Sequence, residues 1–305
     1  MNKPYLSRIW MSIAMVMTLL VEAGCGGGGS FDAGVGSGGT GIVSGDVTKG
    51  PLSNATVTAY AIAGGLKDSP IVAATTDING HYSMDIGHYA GPVMLQVSGG
   101  SFTEESTGSA ASMAGGDVMT VVIPTVAAGA NTSGIQITPI TSMAQVLAQQ
   151  KVGSMTDANI SAANTAMSQY FSVNDIVHVQ PINPLLPGSG SGVSADARKY
   201  GIALAGMSQL AKISLNMVNT SALVSAMMSD ASDGMMDGKN GSAQISMAMG
   251  GMMGNMMPAT AGTSDLATAM TSFMSNLAAN KSGVTATDPD VAAMVQKLSS
   301  SNGRI

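Results

Sequence analysis

Residues 71–86 read IVAATTDINGHYSMDI. Two short runs of β-branched and alternating side chains flank Asp77-Ile78-Asn79-Gly80. Asn-Gly is a strong hairpin signal, because both residues tolerate positive φ. The spacing predicts strands over Ile71–Thr76 and His81–Ile86 joined by a tight turn. The same pattern extends outward in both directions. Upstream, Ile42–Thr48 precedes a turn at Lys49-Gly50-Pro51, and Ala55–Ile62 places Val57 and Ala59 on one face. Downstream come Pro92–Val97, a break at Gly99-Gly100, and Val118–Ile123. Short strands at this spacing predict an antiparallel β-sandwich over residues 42–130.

Beyond a last short run, Ile135–Ile137, the period changes to that of amphipathic helices. Thr138-Pro139 reads as an N-cap and first helical residue. That helix is expected to reach about Lys151, with Ile140, Met143, Val146 and Leu147 on one face. A second covers Asp157 to about Phe171, using Ile160, Ala163, Met167 and Phe171. Pro181, Pro184 and Pro187, then Gly188 to Gly192, form a loop. Ser194 caps a third helix to about Ser214, carrying Tyr200, Leu204, Met207 and Leu210. A fourth spans about Thr220–Asp230. Ser264 is expected to cap a fifth, with Leu266, Met270, Phe273, Met274 and Leu277 on its face. Asp288-Pro289 starts a sixth, with Val291, Met294, Val295 and Leu298. The expected fold class is therefore α+β in two domains: a β-sandwich, then an all-α region over residues 136–305 that includes a Met-rich loop at 242–260.

The N-terminus supplies an address. Lys3 and Arg8 precede an uncharged apolar run, Ile9 to Val21. A helix of that length spans roughly 20 Å, short of the roughly 30 Å hydrocarbon core. It reads as the h-region of a signal peptide over residues 1–24. Ala23, Gly24 and the sole cysteine, Cys25, follow, and then a Gly- and Ser-rich tether over residues 25–41. Small-small-Cys after such a run resembles a bacterial lipobox. The resemblance implies cleavage before Cys25 and acylation there, with Gly26 rather than Asp favouring the outer membrane. Glu22 departs from the pattern, which usually carries Leu at that position. Ordinary cleavage after Val21-Glu22-Ala23 is the alternative and would give a secreted chain. The tether is expected to behave as a random coil. Its Gly34, Gly36 and Gly39 match G-x-G-x-x-G, but no strand precedes and no helix follows, so a dinucleotide site is dismissed.

Gly45-x-Val47, Gly50-Pro51-Leu52, Ala55-x-Val57 and Thr76-Asp77-x-x-Gly80-x-Tyr82 resemble the carboxypeptidase regulatory-like domain over residues 41–125. This implies a transthyretin-like (Ig-like) sandwich of the kind carried by many secreted and surface proteins, mostly non-catalytic. It also implies that Tyr82 is a strand core residue and that Asp77 caps a turn. The layout as a whole resembles bacterial envelope lipoproteins without an assigned activity.

Each candidate for chemistry has a plainer competitor. The chain holds 26 Met against 16 Leu, and Met247-x-Met249-x-x-Met252-Met253-x-x-Met256-Met257 places six in eleven residues. Thioethers suit Cu(I) or Ag(I). Met also stands where Leu would serve elsewhere, including Met11, Met15 and Met17 of the leader, which favours Met as a core filler. His81 and His88 lack a third ligand at metal-site spacing and are expected to face solvent. Glu104-Glu105 is expected to be a solvated loop. The spacing of Asp230-x-x-Asp233-Gly234-x-x-Asp237-Gly238 does not suit an EF-hand and is expected to form a helix C-terminal turn. His178 is expected to be a packing or turn residue. Asn54, Asn131, Asn159 and Asn219 match N-x-[ST], but a bacterial address argues against glycosylation. There is no G-x-S-x-G, H-E-x-x-H or P-loop, so the expectation is no enzyme, no catalytic residue, no metal and no cofactor.

Twelve Lys+Arg against 18 Asp+Glu give a net charge of −6, which argues against nucleic acid as a partner. One cysteine excludes an intrachain disulfide. The expected role is a non-catalytic envelope lipoprotein. Its partners would be the membrane, through the lipid, and an envelope protein or polysaccharide. The alternative is soft-metal binding by the Met-rich segment.

Overall fold

A computed structural model describes residues 40–217, 219–247 and 256–305. Residues 1–24, Cys25, and Met249, Met252 and Met253 lie outside the described residues. The described residues belong to one compact unit, 38–305, and the fold is α+β.

The strands are β1 (Ile42–Val47), β2 (Thr56–Ala63), β3 (Leu66–Thr75), β4 (His81–Asp85), β5 (Gly91–Ser98), β6 (Ser101–Thr103), β7 (Ala110–Ser112), β8 (Val118–Val126) and β9 (Thr132–Ile137). One sheet has the order β4-β1-β9 and another the order β3-β2-β5-β8, while β6 and β7 form a separate hairpin. The Asp77–Gly80 turn forms, but not as a β-hairpin: it carries the chain from β3 in one sheet to β4 in the other. Asp77 Oδ1 accepts from Asn79 N–H at 2.8 Å and His81 N–H at 2.9 Å. Only Gly80 of the pair takes positive φ (85°), so one glycine suffices for the bend. Tyr82 is buried and its hydroxyl donates to Ile135 O at 3.0 Å, tying β4 to β9. β9 pairs parallel to β1, with the ladder irregular between Val43 and Gly45. The β9 backbone approaches so closely that a Cβ on Gly45 would stand 1.9 Å from Ile135 O. Only glycine fits there.

The helices are α1 (Pro139–Gln149), α2 (Asp157–Tyr170), α3 (Ala195–Gln209, continued by a π-helical turn, Leu210–Ser214), α4 (Ser221–Ala231), α5 (Ser264–Ser275) and α6 (Pro289–Ser299). Two-residue strands β10 (Lys239–Asn240) and β11 (Ala243–Gln244) pair between α4 and α5. Local signals set most helix starts. Thr138 and Thr141 form a reciprocal capping box ahead of Pro139. Ser194 accepts from Ala197 N–H, and Asp288 from Asp290 and Val291 N–H, ahead of Pro289. Ser264 is a correction: it is the first residue of α5, and Thr263 at the cap position makes no side-chain cap bond. Leu277 is another, because α5 ends at Ser275 and Leu277 is left exposed.

β8 explains how strands and helices join. Met119 to Ile123 are all buried, so neither face of the strand meets water. Thr120, on this strand, receives Ser142 of α1: Thr120 N–H donates to Ser142 Oγ at 2.8 Å, and Thr141 Oγ1 donates to Thr120 O at 2.9 Å. One apolar core runs from Val43 and Leu95 in the sheets through Ile140 and Phe171 to Phe273 and Leu298. Among the described residues, no helix is long and apolar enough to cross a membrane.

Candidate functional site

Glu104-Glu105 is not a solvated loop. Glu104 is 1% and Glu105 2% exposed. They sit at the turn of the β6–β7 hairpin, which neither strand signals strongly because each is only three residues long. The hairpin carries them against α3 and the N-terminus of α4. Lys49, from the turn after β1, is 3% exposed and places Nζ 3.2 Å from Glu104 Oε1. Its ammonium also lies 4.7 Å from the Phe102 ring centroid, a cation–π contact.

The remaining Glu104 contacts come from helices a hundred residues away. Ser208 Oγ donates to Oε1 at 2.5 Å, and Thr220 Oγ1 donates to Oε2 at 2.6 Å. Ser208 Oγ also accepts from Ser106 N–H at 2.9 Å. Thr220 donates its hydroxyl proton to Glu104 and makes no cap bond to its own helix, its backbone being helical (φ −77°, ψ −20°) rather than extended. Glu104 instead brings a carboxylate to the positive end of α4. Asp117 does the same from the strand side, accepting from Ser221 Oγ and from Ser225 Oγ at 3.3 Å. The paired carboxylates are not equivalent. Burial raises the Glu105 carboxyl above its ordinary range, opposed by Lys49 and reinforced by Glu104. Glu105 Oε2 is buried without a hydrogen-bond partner.

Three clefts surround the hairpin. One of about 360 Å³ has Glu104 and Thr220 at its floor and Ser109, Ser112, Lys212 and Asn219 on its walls. A second, about 390 Å³, lies between Ser106–Gly108 and Asn276–Ala279. The third, about 430 Å³, is lined by Pro51, Ile78, Phe102, Leu185 and Leu186 together with hydroxyl side chains such as Ser53 and Ser101. Of the ionic cluster only Glu104 borders an opening, and Lys49 and Glu105 line none of the three. Its chemistry is that of a fastener: one cation neutralises a carboxylate whose oxygens are taken by hydroxyls.

The other sequence candidates are dispersed. His81, 54% exposed, pairs with Asp46 across β1 and β4. Gln136 Nε2 reaches the other Asp46 oxygen at 3.3 Å. His88 is exposed in a loop. His178 is a turn residue: Asp175 Oδ1 accepts from Val177 and His178 N–H, and His178 Nδ1 lies 2.8 Å from Asp175 Oδ2. Asp230 is wholly buried, and its Oδ1 gathers the N–H groups of Asp237, Gly238 and Lys239 at 3.0, 2.7 and 3.2 Å. Its Oδ2 has no partner, and burial raises its pKa to about 6 despite those bonds. Asp233 accepts from Met235 N–H at 3.0 Å and Gly241 N–H at 2.6 Å. These acids organise the turn after α4 through backbone donors. Among the described residues, no three His, Cys, Asp or Glu come together as a metal site. Met247 and Met257 are 1% and 0% exposed and belong to the core, while Met256 is 53% exposed.

Lys49, Ser208 and Thr220 were not candidates on sequence grounds. Nothing local distinguishes them, because their roles depend on partners 55 to 116 residues away. No family model matches this chain, and no curated protein matches it.

Proposed function

We propose that this chain is a non-catalytic lipoprotein of the bacterial cell envelope, anchored through acylated Cys25 and serving a binding or structural role. The address is carried by the leader: Lys3 and Arg8, the apolar run to Val21, then Ala23-Gly24-Cys25. The non-catalytic part rests on one observation. The buried ionisable cluster Lys49–Glu104–Glu105 is sealed from solvent and fastened to Ser208 and Thr220. A general acid or base must reach the proton it transfers, and all three of these groups are buried. We read the two sheets as a carboxypeptidase regulatory-like, transthyretin-like sandwich covered on one face by the helical region. The partner would be an envelope protein or polysaccharide meeting the clefts around the β6–β7 hairpin. Outer-membrane sorting follows from Gly26 after the cysteine.

Detergent phase partitioning tests the reading. The full chain, expressed with its own leader in a Gram-negative host, is expected in the detergent phase. The Cys25→Ala variant is expected in the aqueous phase or as an uncleaved precursor. Aqueous partitioning of the unaltered chain overturns the anchor.

A further inference from the structure

Gly41 is where the chain from Cys25 joins the described fold. Its N–H donates to Gly87 O at 3.1 Å, and its carbonyl accepts from Ile86 N–H at 2.8 Å. β1 runs away from this end and β4 arrives at it. In the other sheet, β2 arrives at the same end and β5 leaves it. Tyr89, two residues past Gly87, ties them together: its hydroxyl accepts from Ile62 N–H at 3.3 Å and donates to Pro92 O at 2.7 Å. Just beyond Ile62 the chain turns at Gly64-Gly65 into β3. The α1–α2 loop lies against that turn, with Met155 N–H donating to Gly65 O at 2.9 Å. The two backbones touch so closely that a Cβ on Gly65 would stand 2.2 Å from Gly153 O. These neighbouring tips present two bare aliphatic side chains, Leu66 at 59% and Val152 at 101% exposure.

We propose that this end is a bilayer-contacting surface, with Leu66 and Val152 inserted at the lipid headgroup boundary beside the anchor. The inference rests on the reading that Cys25 is acylated. Cys25 lies 16 residues before Gly41, so the two are within about 55 Å in any conformation, and the joining end can reach the bilayer. Nearby charges are mixed, with Lys67 and Lys151 offset by Asp68 and Asp85, which leaves apolar contact as the attraction. The opposite end is marked by Ile78, in the turn after β3. β3 runs from Leu66 to Thr75, nine steps that span about 30 Å at 3.3 Å per residue, about the thickness of a hydrocarbon core. A protein resting on the Leu66–Val152 end holds Ile78 and the clefts around the β6–β7 hairpin away from the membrane.

The test uses the full chain with its own leader, purified from membranes and reconstituted into phosphatidylcholine vesicles. Single variants Leu66→Cys, Val152→Cys and Ile78→Cys receive an environment-sensitive fluorophore, Cys25 being blocked by its lipid. Headgroup-region nitroxide lipids are expected to quench positions 66 and 152 at least threefold more than position 78, with a blue-shifted emission at the first two. Acylated, vesicle-bound protein with equal quenching at all three positions, or stronger quenching at 78, overturns the inference and leaves the anchor standing. A mass spectrum without acyl chains overturns the anchor reading and the inference with it.

Discussion

Removing one partner of the Lys49–Glu104 pair is the sharpest test of the buried cluster. At 3.2 Å and an effective dielectric near 20, the Coulomb attraction is about 5 kcal/mol, before desolvation is subtracted. Both groups are almost wholly buried, so Lys49→Met leaves Glu104 and Glu105 without a cation. Glu104→Gln leaves Lys49 without its anion. Each single variant is expected to lose about 3–5 kcal/mol. The double variant is different. Gln keeps an oxygen for the Ser208 hydroxyl, and its amide can donate to Thr220 Oγ1. Met keeps an apolar stem over Phe102 and a favourable sulfur–aromatic contact. The pair Lys49→Met with Glu104→Gln is therefore expected to lose no more than about 2 kcal/mol, leaving a coupling of roughly 4 kcal/mol or more in the double-mutant cycle. Urea unfolding followed by far-UV circular dichroism measures all four proteins, because the only tryptophan, Trp10, lies in the N-terminal apolar run, outside the described fold. Single variants within about 1 kcal/mol of the parent, with additive effects, would refute the claim that the charges are sealed and mutually dependent.

Gly45→Ala drives a methyl into the β9 backbone at Ile135; a loss of about 3 kcal/mol or more is expected by chemical denaturation. For Asp230, a pKa raised to about 6 means its protonated form fits the fold best. Its stabilising contribution is full below about pH 4 and is lost as pH rises through 6. Asp230→Asn keeps the Oδ1 acceptor and removes the charge, so its melting temperature relative to the parent should rise between pH 4 and pH 7.5; an unchanged difference would contradict this. Glu105, raised by burial, has the same sign, and Glu105→Gln should likewise gain on the parent as pH rises from acid to neutral in parallel melts. Met247→Leu combined with Met257→Leu swaps similar volumes in a packed core and is expected to cost less than about 1.5 kcal/mol per site. A Cu(I) titration that is stoichiometric in the parent and abolished in this variant would show that the thioethers serve a metal instead.

What the sequence discloses is local. Thr138-Pro139, Ser194 and Asp288-Pro289 announce helix starts because a cap bond spans three residues. The Asp77–Gly80 bend is readable for the same reason. Which strands it joins is not, because sheet partnership is decided by Tyr82 reaching Ile135 and by β9 closing on Gly45. Leu277 shows how an apolar period overruns a helix end when the stop is not written in glycine or proline. Glu104-Glu105 is the clearest failure. Two adjacent acids near glycines suggest water, and only the fold supplies Lys49 from one side and Ser208 and Thr220 from the other. The Met-rich run divides: Met247 and Met257 are core, as expected if methionine fills the places of leucine throughout.

The central claim is the anchor, and the intact mass of the protein recovered from membranes tests it most directly. The account predicts a chain that begins at Cys25 and carries the added mass of a diacylglyceryl group, with or without a third acyl chain. An unacylated chain that begins at Gly24, or one that retains residues 1–24, would contradict it.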